Sequence, residues 1–240
     1  MKPSLVLTAA ILSLATCIGC IDVSAIGPKP GVDAGAGGQS IVIATFESGT
    51  GTPDDPRFEP FRYYAYNPSA PDLPAGAFVN SPILSPGFNS NYALGLNWEV
   101  IDVPDGQQNY PGVGVGTVVN GYVDLSPYTV FNFVQQYQHT GSCEVVTTLV
   151  VSLGCSQYNA SVAGTVPMSS KAMTSSIPLA SFAQSPYLGQ PPVALGDCLK
   201  VVDGVDFQSQ LNLADGDCAS GELMLDNIEV RQLAPSDGGS

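Results

Sequence analysis

The sequence predicts an all-β protein, an antiparallel β-sandwich, on three observations. No window keeps apolar residues at the three- and four-residue spacing of an amphipathic helix. Short runs rich in valine, isoleucine and aromatic residues recur at regular intervals instead. Among 240 residues, 20 prolines and 26 glycines punctuate these runs, as turns between short strands require. No internal repeat of fixed period is found, which disfavours a solenoid or a propeller.

The chain opens on Met1-Lys-Pro-Ser, and an apolar run follows from Leu5 to Ala15. One positive charge ahead of ~10 apolar residues is the pattern of an export signal and is too short to span a bilayer. Residues 1–19 are therefore expected to be removed. Gly19 supplies the small residue a signal peptidase needs, and Cys20 then stands first, which resembles a bacterial lipoprotein site, although Cys17 occupies a place where such sites usually carry leucine. That resemblance implies lipid attachment at Cys20, with ordinary secretion as the alternative. Ile21 stands where aspartate would signal inner-membrane retention in enteric bacteria, so anchoring at the outer membrane or cell surface is expected.

Residues 20–40 are rich in glycine, alanine, proline and aspartate, and Gly31-Val-Asp-Ala-Gly-Ala-Gly-Gly38 has no pattern able to bury a face. A flexible tether is expected there. Strands are expected over 41–47, 63–66, 92–100, 113–119, 129–137, 145–153, 173–178, 198–208 and 222–231. The region 41–232 is long enough for one sandwich with a real core and too short for two domains. Residues 233–240 have the composition of the tether and are expected to be disordered.

Gly221-Glu-Leu-Met-Leu-Asp-Asn-Ile-Glu-Val230 reads as the closing strand. Leu223 and Leu225 share a period of two with Ile228 and Val230 only if the strand slips at Asp226 and Asn227, which predicts a β-bulge. An aspartate at such a kink, with apolar neighbours on both sides, needs a cation or several donors. At the other end of the region, Ile41-Val-Ile-Ala-Thr-Phe-Glu-Ser-Gly49 likewise runs an apolar strand into a carboxylate, Glu47. Together the Phe-Glu-x-Gly opening and the Leu-Asp-Asn-Ile ending resemble the first and last strands of galactose-binding-like β-jelly rolls, the group that includes many carbohydrate-binding modules. Val123-Asp-Leu-Ser-Pro-Tyr-Thr-Val-Phe-Asn-Phe133 is similar to the group's central Asp-Leu-Ser-x-Tyr segment.

The resemblance implies a jelly roll whose two ends lie side by side. It also implies a structural Ca²⁺ held by Glu47 and Asp226, with carbonyl oxygens near Ser48 and Gly49 in its shell. Backbone donors and water are the alternative partners for the two acids. A short helical turn within Ser176-Ile-Pro-Leu-Ala-Ser-Phe182 is a further implication.

Seven basic residues against 21 acidic ones give a net charge of −14. Such a surface repels phosphates and excludes nucleic acid as a partner. Past the signal, Cys143, Cys155, Cys198 and Cys218 remain besides Cys20. An even set in an exported chain predicts two disulfides, with three pairings open. The local pairing is favoured, since Cys143 and Cys155 flank one strand and Cys198 and Cys218 bracket the next strand and loop. No Cys-x-x-Cys pair lies in the folded part and His139 is the sole histidine, so a zinc site is disfavoured.

Catalytic signals are weak. His139 sits toward a polar turn, and no Gly-x-Ser-x-Gly elbow exists. Gly112-Val-Gly-Val-Gly116 lacks the lysine and helix of a phosphate loop and reads as a strand whose glycines let neighbouring chain approach closely. Paired acids across a sugar make a glycosidase, and Glu47, Glu99, Asp102, Asp124 and Asp226 are the strand acids available. Sugar binding uses aromatic faces with amides and carboxylates around them. Tyr64 and Tyr66 share one strand face, Trp98 lies beside Asn97, Tyr110 beside Gln107 and Gln108, and Tyr122 and Tyr137 complete the candidates. For Trp98 the competing role is core packing. The expected protein is a monomeric, non-catalytic, carbohydrate-binding-like domain of an exported lipoprotein, with a polysaccharide or glycan as partner. A surface protein that adheres to another protein is the alternative, and a glycoside hydrolase or lyase stands behind it.

Overall fold

The computed structural model describes residues 39–66, 78–88, 90–101, 112–139, 143, 146–184, 191–210 and 218–233. The export signal, Cys20, the tether up to 38, Asp102, Gln107, Gln108, Tyr110 and the tail from 234 lie outside them, while Ser40, expected in the tether, opens the first strand. In chain order the strands are β1 (Ser40–Ala44), β2 (Arg62–Tyr66), β3 (Phe78–Asn80), β4 (Ile83–Leu84), β5 (Ala93–Ile101), β6 (Gly112–Val123), β7 (Val130–His139), β8 (Thr148–Cys155), β9 (Ala160–Pro167), β10 (Met173–Pro178), β11 (Ala183–Gln184), β12 (Val202–Gln210) and β13 (Cys218–Arg231). They form two sheets with antiparallel pairing throughout. One runs β10-β7-β13-β5-β3, with β1 on β13 and β4 on β5; the other runs β11-β9-β8-β12-β6-β2.

The inner faces meet over an apolar core. Phe133 and Phe207, from opposite sheets, pack with ring centroids 5.1 Å apart, and Phe131 lies 6.1 Å from Phe207. The two ends of the domain close on each other, for β1 pairs with the last residues of β13 in the register Ile41 to Val230. The strand slip occurs where the sequence places it: pairing of β13 with β7 shifts between Asp226 and Glu229, and Asn227 takes a left-handed φ of 49°. Beyond the bulge β13 keeps β1 and β7 as neighbours; before it, β5 and β7.

Several elements differ from the sequence expectation. β3, β4, β9 and β11 were not expected; β9 is Ala-Ser-Val-Ala-Gly-Thr-Val-Pro, whose small residues carry little strand signal. Cys198 ends a short helix, α1 (Leu195–Cys198), and β12 begins only at Val202. The helical turn expected within 176–182 is a 3₁₀ turn at Leu179–Ser181.

The favoured local cysteine pairing is overturned. Cys143 bonds Cys218, and Cys155 bonds Cys198. The reason is geometric: a strand lies between the two cysteines of each local pair, and eight residues of strand span ~26 Å, whereas a disulfide joins Cα atoms within ~7 Å. β8 and β12 are antiparallel neighbours, which sets the end of β8 beside the approach to β12. There Cys155 and Cys198 lie 5.3 Å apart at Cα, and at the far end Cys143 meets Cys218 at 5.0 Å.

Candidate functional site: the open face of the six-stranded sheet

Alternation along the strands of the second sheet sorts residues between the core and an outer face. Val113, Val115, Val205, Phe207, Val151 and Leu153 turn inward and are buried. The outer face is ordered by register. Arg62, Gly116, Asp206 and Ser152 stand in one row, and Tyr64, Gly114, Gln208 and Val150 in the next.

The glycines of β6 form the floor of this face because side chains from both neighbouring strands lie on them. A Cβ at Gly114 would come within 2.6 Å of the Tyr64 Cζ and Oη, and one at Gly116 would collide with Asp206 Oδ1. Asp203 Oδ1 stands 2.8 Å from where Gly154 would carry a Cβ. Past the glycine run, Val118 and Tyr122 leave 57% and 54% of their surface exposed.

Charge on the face is sparse. Its six strands carry three charged side chains, Arg62, Asp203 and Asp206. Burial pushes the Asp206 carboxyl up to about 6, and the Asp203 charge adds to the rise. Asp203 Oδ2 accepts a hydrogen bond from the Ser156 amide at 2.9 Å and another from the Ser156 hydroxyl. Arg62, at the edge, has its guanidinium 3.5 Å from Glu59. An aromatic ring, an amide and a carboxylate thus share one sheet face, the ring and the carboxylate lying on glycine backbone, a combination able to stack on a pyranose and bond its hydroxyls.

The sequence-predicted binding residues divide. Tyr64 lies on this face and Tyr66 two residues on in β2, while Tyr122 is exposed near the end of β6, past the irregular pairing that follows Val118. Trp98 and Tyr137 do not belong to it. They keep 2% and 4% of their surface and stack on each other in the core at 5.8 Å and 14°. The Tyr137 hydroxyl donates to the Ser220 carbonyl at 3.2 Å and accepts from the Val146 amide at 3.4 Å. Their inward positions on β5 and β7 exclude ligand contact. Asp203, Asp206 and Gln208 were missed by sequence reasoning. The signal that finds them is the glycine triplet at a period of two, which marks where neighbouring side chains lie on the backbone.

The metal candidates lie on the outer side of the other sheet. Asp226 is fully buried; its Oδ1 accepts from the Asn227 amide at 2.7 Å, and its Oδ2 from the Ser90 hydroxyl at 2.6 Å and the Phe88 amide at 3.3 Å. Burial pushes its carboxyl up to about 6 against those hydrogen bonds, and the charge of Glu47 adds to the rise. Glu47 Oε2 accepts from the Asn91 side chain at 2.8 Å, so adjacent residues Ser90 and Asn91 bridge the two acids. Gly49, at φ 71°, closes the turn from Phe46, its amide donating a hydrogen bond of 2.9 Å to the Phe46 carbonyl. The donors are all oxygen, which suits Ca²⁺ in kind. Among the described residues no three His, Cys, Asp or Glu side chains group together as for a metal, so a cation here would rely on Glu47, Asp226 and carbonyl oxygens.

A two-sheet antiparallel sandwich with an open, glycine-floored face is the class of structure defined here. No family model and no curated protein matches the sequence. Among solved structures, the fold is similar to the family 11 carbohydrate-binding module of a cellulosomal cellulase of Clostridium thermocellum, with TM-score 0.53 and 15% identity over 84% of this chain and 98% of that one. It is also similar to the solution structure of CtCBM11, with TM-score 0.50 and 16% identity over 85% and 100% of the two chains. At these identities the likeness is one of fold.

Proposed function

We propose that the protein is a non-catalytic polysaccharide-binding domain, exported and held at the cell surface by a lipid on Cys20, that takes its glycan on the outer face of the six-stranded sheet. The observation that carries this reading is the row of Tyr64, Gly114 and Gln208 beside that of Gly116 and Asp206. The Tyr64 ring and the Asp206 carboxylate lie directly on glycine backbone and so stay low on the sheet, which leaves a flat sugar a ring to stack on and a carboxylate to bond. The likeness in fold to a module of a cellulase supports it. Fold alone does not give function, so the test is direct. Electrophoresis through gels containing soluble neutral polysaccharides, hydroxyethylcellulose first, is expected to retard the protein, and free migration through all of them overturns the reading. Release of reducing ends from a retarding polymer would replace the binding module with a hydrolase. Export and lipidation are tested by palmitate labelling, which Cys20→Ser is expected to abolish. We further propose a structural Ca²⁺ between Glu47 and Asp226. Bound there, it would neutralise two acids that otherwise raise each other's energy.

A further inference from the structure

The position of the charges on the open face bears on which polysaccharide it accepts. Asp206 is half-buried at the middle of the face, between Gly116 of β6 and Ser152 of β8. Asp203 stands on the same strand, close enough for its charge to act on Asp206. No other charge comes from β6, β8, β9 or β11, and the hairpin Ser156–Tyr158 brings only the phenol of Tyr158. From β2 the one cation is Arg62, across Gly116, exposed and 3.5 Å from Glu59.

We propose that Asp206, backed by Asp203, makes this face select uncharged polysaccharide over carboxylated chains, and that the selection relaxes in mildly acidic medium. The inference rests on the reading of the face as a glycan site and adds the charge class of the glycan. Hydroxyls of a neutral sugar donate to an ionised carboxylate in charge-assisted hydrogen bonds. A uronate or carboxymethyl group laid on the same row meets a like charge in surroundings that screen it poorly, and such juxtaposition is strongly unfavourable. Because burial holds the Asp206 carboxyl at about 6, the side chain is ionised at neutral pH and largely protonated at pH 5. Protonation removes the central negative charge and supplies a donor.

Hydroxyethylcellulose and carboxymethylcellulose share one backbone and differ in charge, so they form the test pair. Affinity is measured at pH 7.5 and 5.0 in 150 mM salt, where the Debye length of ~8 Å suppresses the net protein charge. Carboxymethyl groups titrate near ~4 and keep most of their charge at pH 5. The neutral polymer is expected to bind about ten-fold more tightly at pH 7.5, and that ratio to shrink at least about three-fold at pH 5.0. Asp206→Asn is expected to lower the ratio at pH 7.5 and make it independent of pH, and Asp203→Asn to lower it without flattening it. Glu222→Gln removes the same charge from the other sheet and is expected to leave ratio and pH dependence unchanged. Equal affinity for both polymers at pH 7.5, or a ratio indifferent to pH and to Asp206→Asn, overturns the inference while the glycan reading stands on the neutral polymer. A ratio lowered equally by Glu222→Gln also overturns it, since net charge then explains the effect. Binding to neither polymer removes both the inference and the cellulose-type reading beneath it.

Discussion

Asp206 loses part of its hydration where it lies against Gly116, and the neighbouring Asp203 charge opposes its ionisation further. Its carboxyl therefore titrates at about 6 in the fold, against a model-peptide value near ~3.9. The folded state holds this proton more tightly than the unfolded chain. The stability the group contributes is full below the unfolded value and is lost as pH rises through about 6. Discounted for a partly exposed side chain, the effect is about 1 kcal/mol, a fall in Tm of about 2 to 4 °C between pH 4 and pH 7. Calorimetry in chelator should show Asp206→Asn without that component, and an unaltered slope in the variant would refute the assignment. Tyr64 supplies the second residue-scale prediction. Its ring lies over Gly114 on the outer face, so Tyr64→Ala should lower affinity for a retarding polysaccharide at least about five-fold, as loss of about 1 to 3 kcal/mol of stacking requires. Tm should change far less than for truncation of a core ring such as Phe207. An unaltered affinity would place the glycan elsewhere.

Elements were legible where their pattern was strong. β13, with its alternation broken at Asp226 and Asn227, and β6, with its glycine and valine alternation, could be read directly because one face is buried and the period is two. β9 and β11 escaped because small or few residues leave no alternation to detect. Cysteine pairing was misread because proximity in sequence was weighed above the length of the strand in between. The two bonds differ in setting. Cys155 and Cys198 are wholly buried, whereas Cys143 and Cys218 are partly exposed at the opposite end of the sandwich. Thiolate access governs reduction, so mild reductant with alkylation and mass spectrometry should label Cys143 and Cys218 first. Labelling of Cys155 and Cys198 should appear only as the domain unfolds. By the chain-entropy argument each bond is worth about 4 kcal/mol.

At the scale of the whole molecule, the site divides into what sequence can and cannot express. Tyr64 and Gly112 to Gly116 were visible as strand residues, but which strand lay beside them was not, and the candidate face exists only because β12 inserts between β6 and β8. Asp203 and Asp206 come from that inserted strand. The pair Glu47 and Asp226 was recoverable through the resemblance to jelly rolls whose first and last strands lie side by side, as β1 and β13 do here. Between the two acids sit Ser90 and Asn91, so three distant parts of the chain converge on two carboxylates. A cation bound to the folded state alone would tie all three parts together and stabilise the domain by about 2.7 kcal/mol at a hundred-fold excess over Kd, a rise in Tm of about 5 to 10 °C. The proposed Ca²⁺ predicts a fall of that size on chelation, recovered by adding Ca²⁺ back. Asp226→Asn should abolish the response, and Glu222→Gln on the same strand should not. An identical Tm with and without chelator would leave the Ser90, Asn91, Asn227 and Phe88 donors as sufficient partners for the two acids, and the calcium proposal would fall without touching the open face on the other sheet.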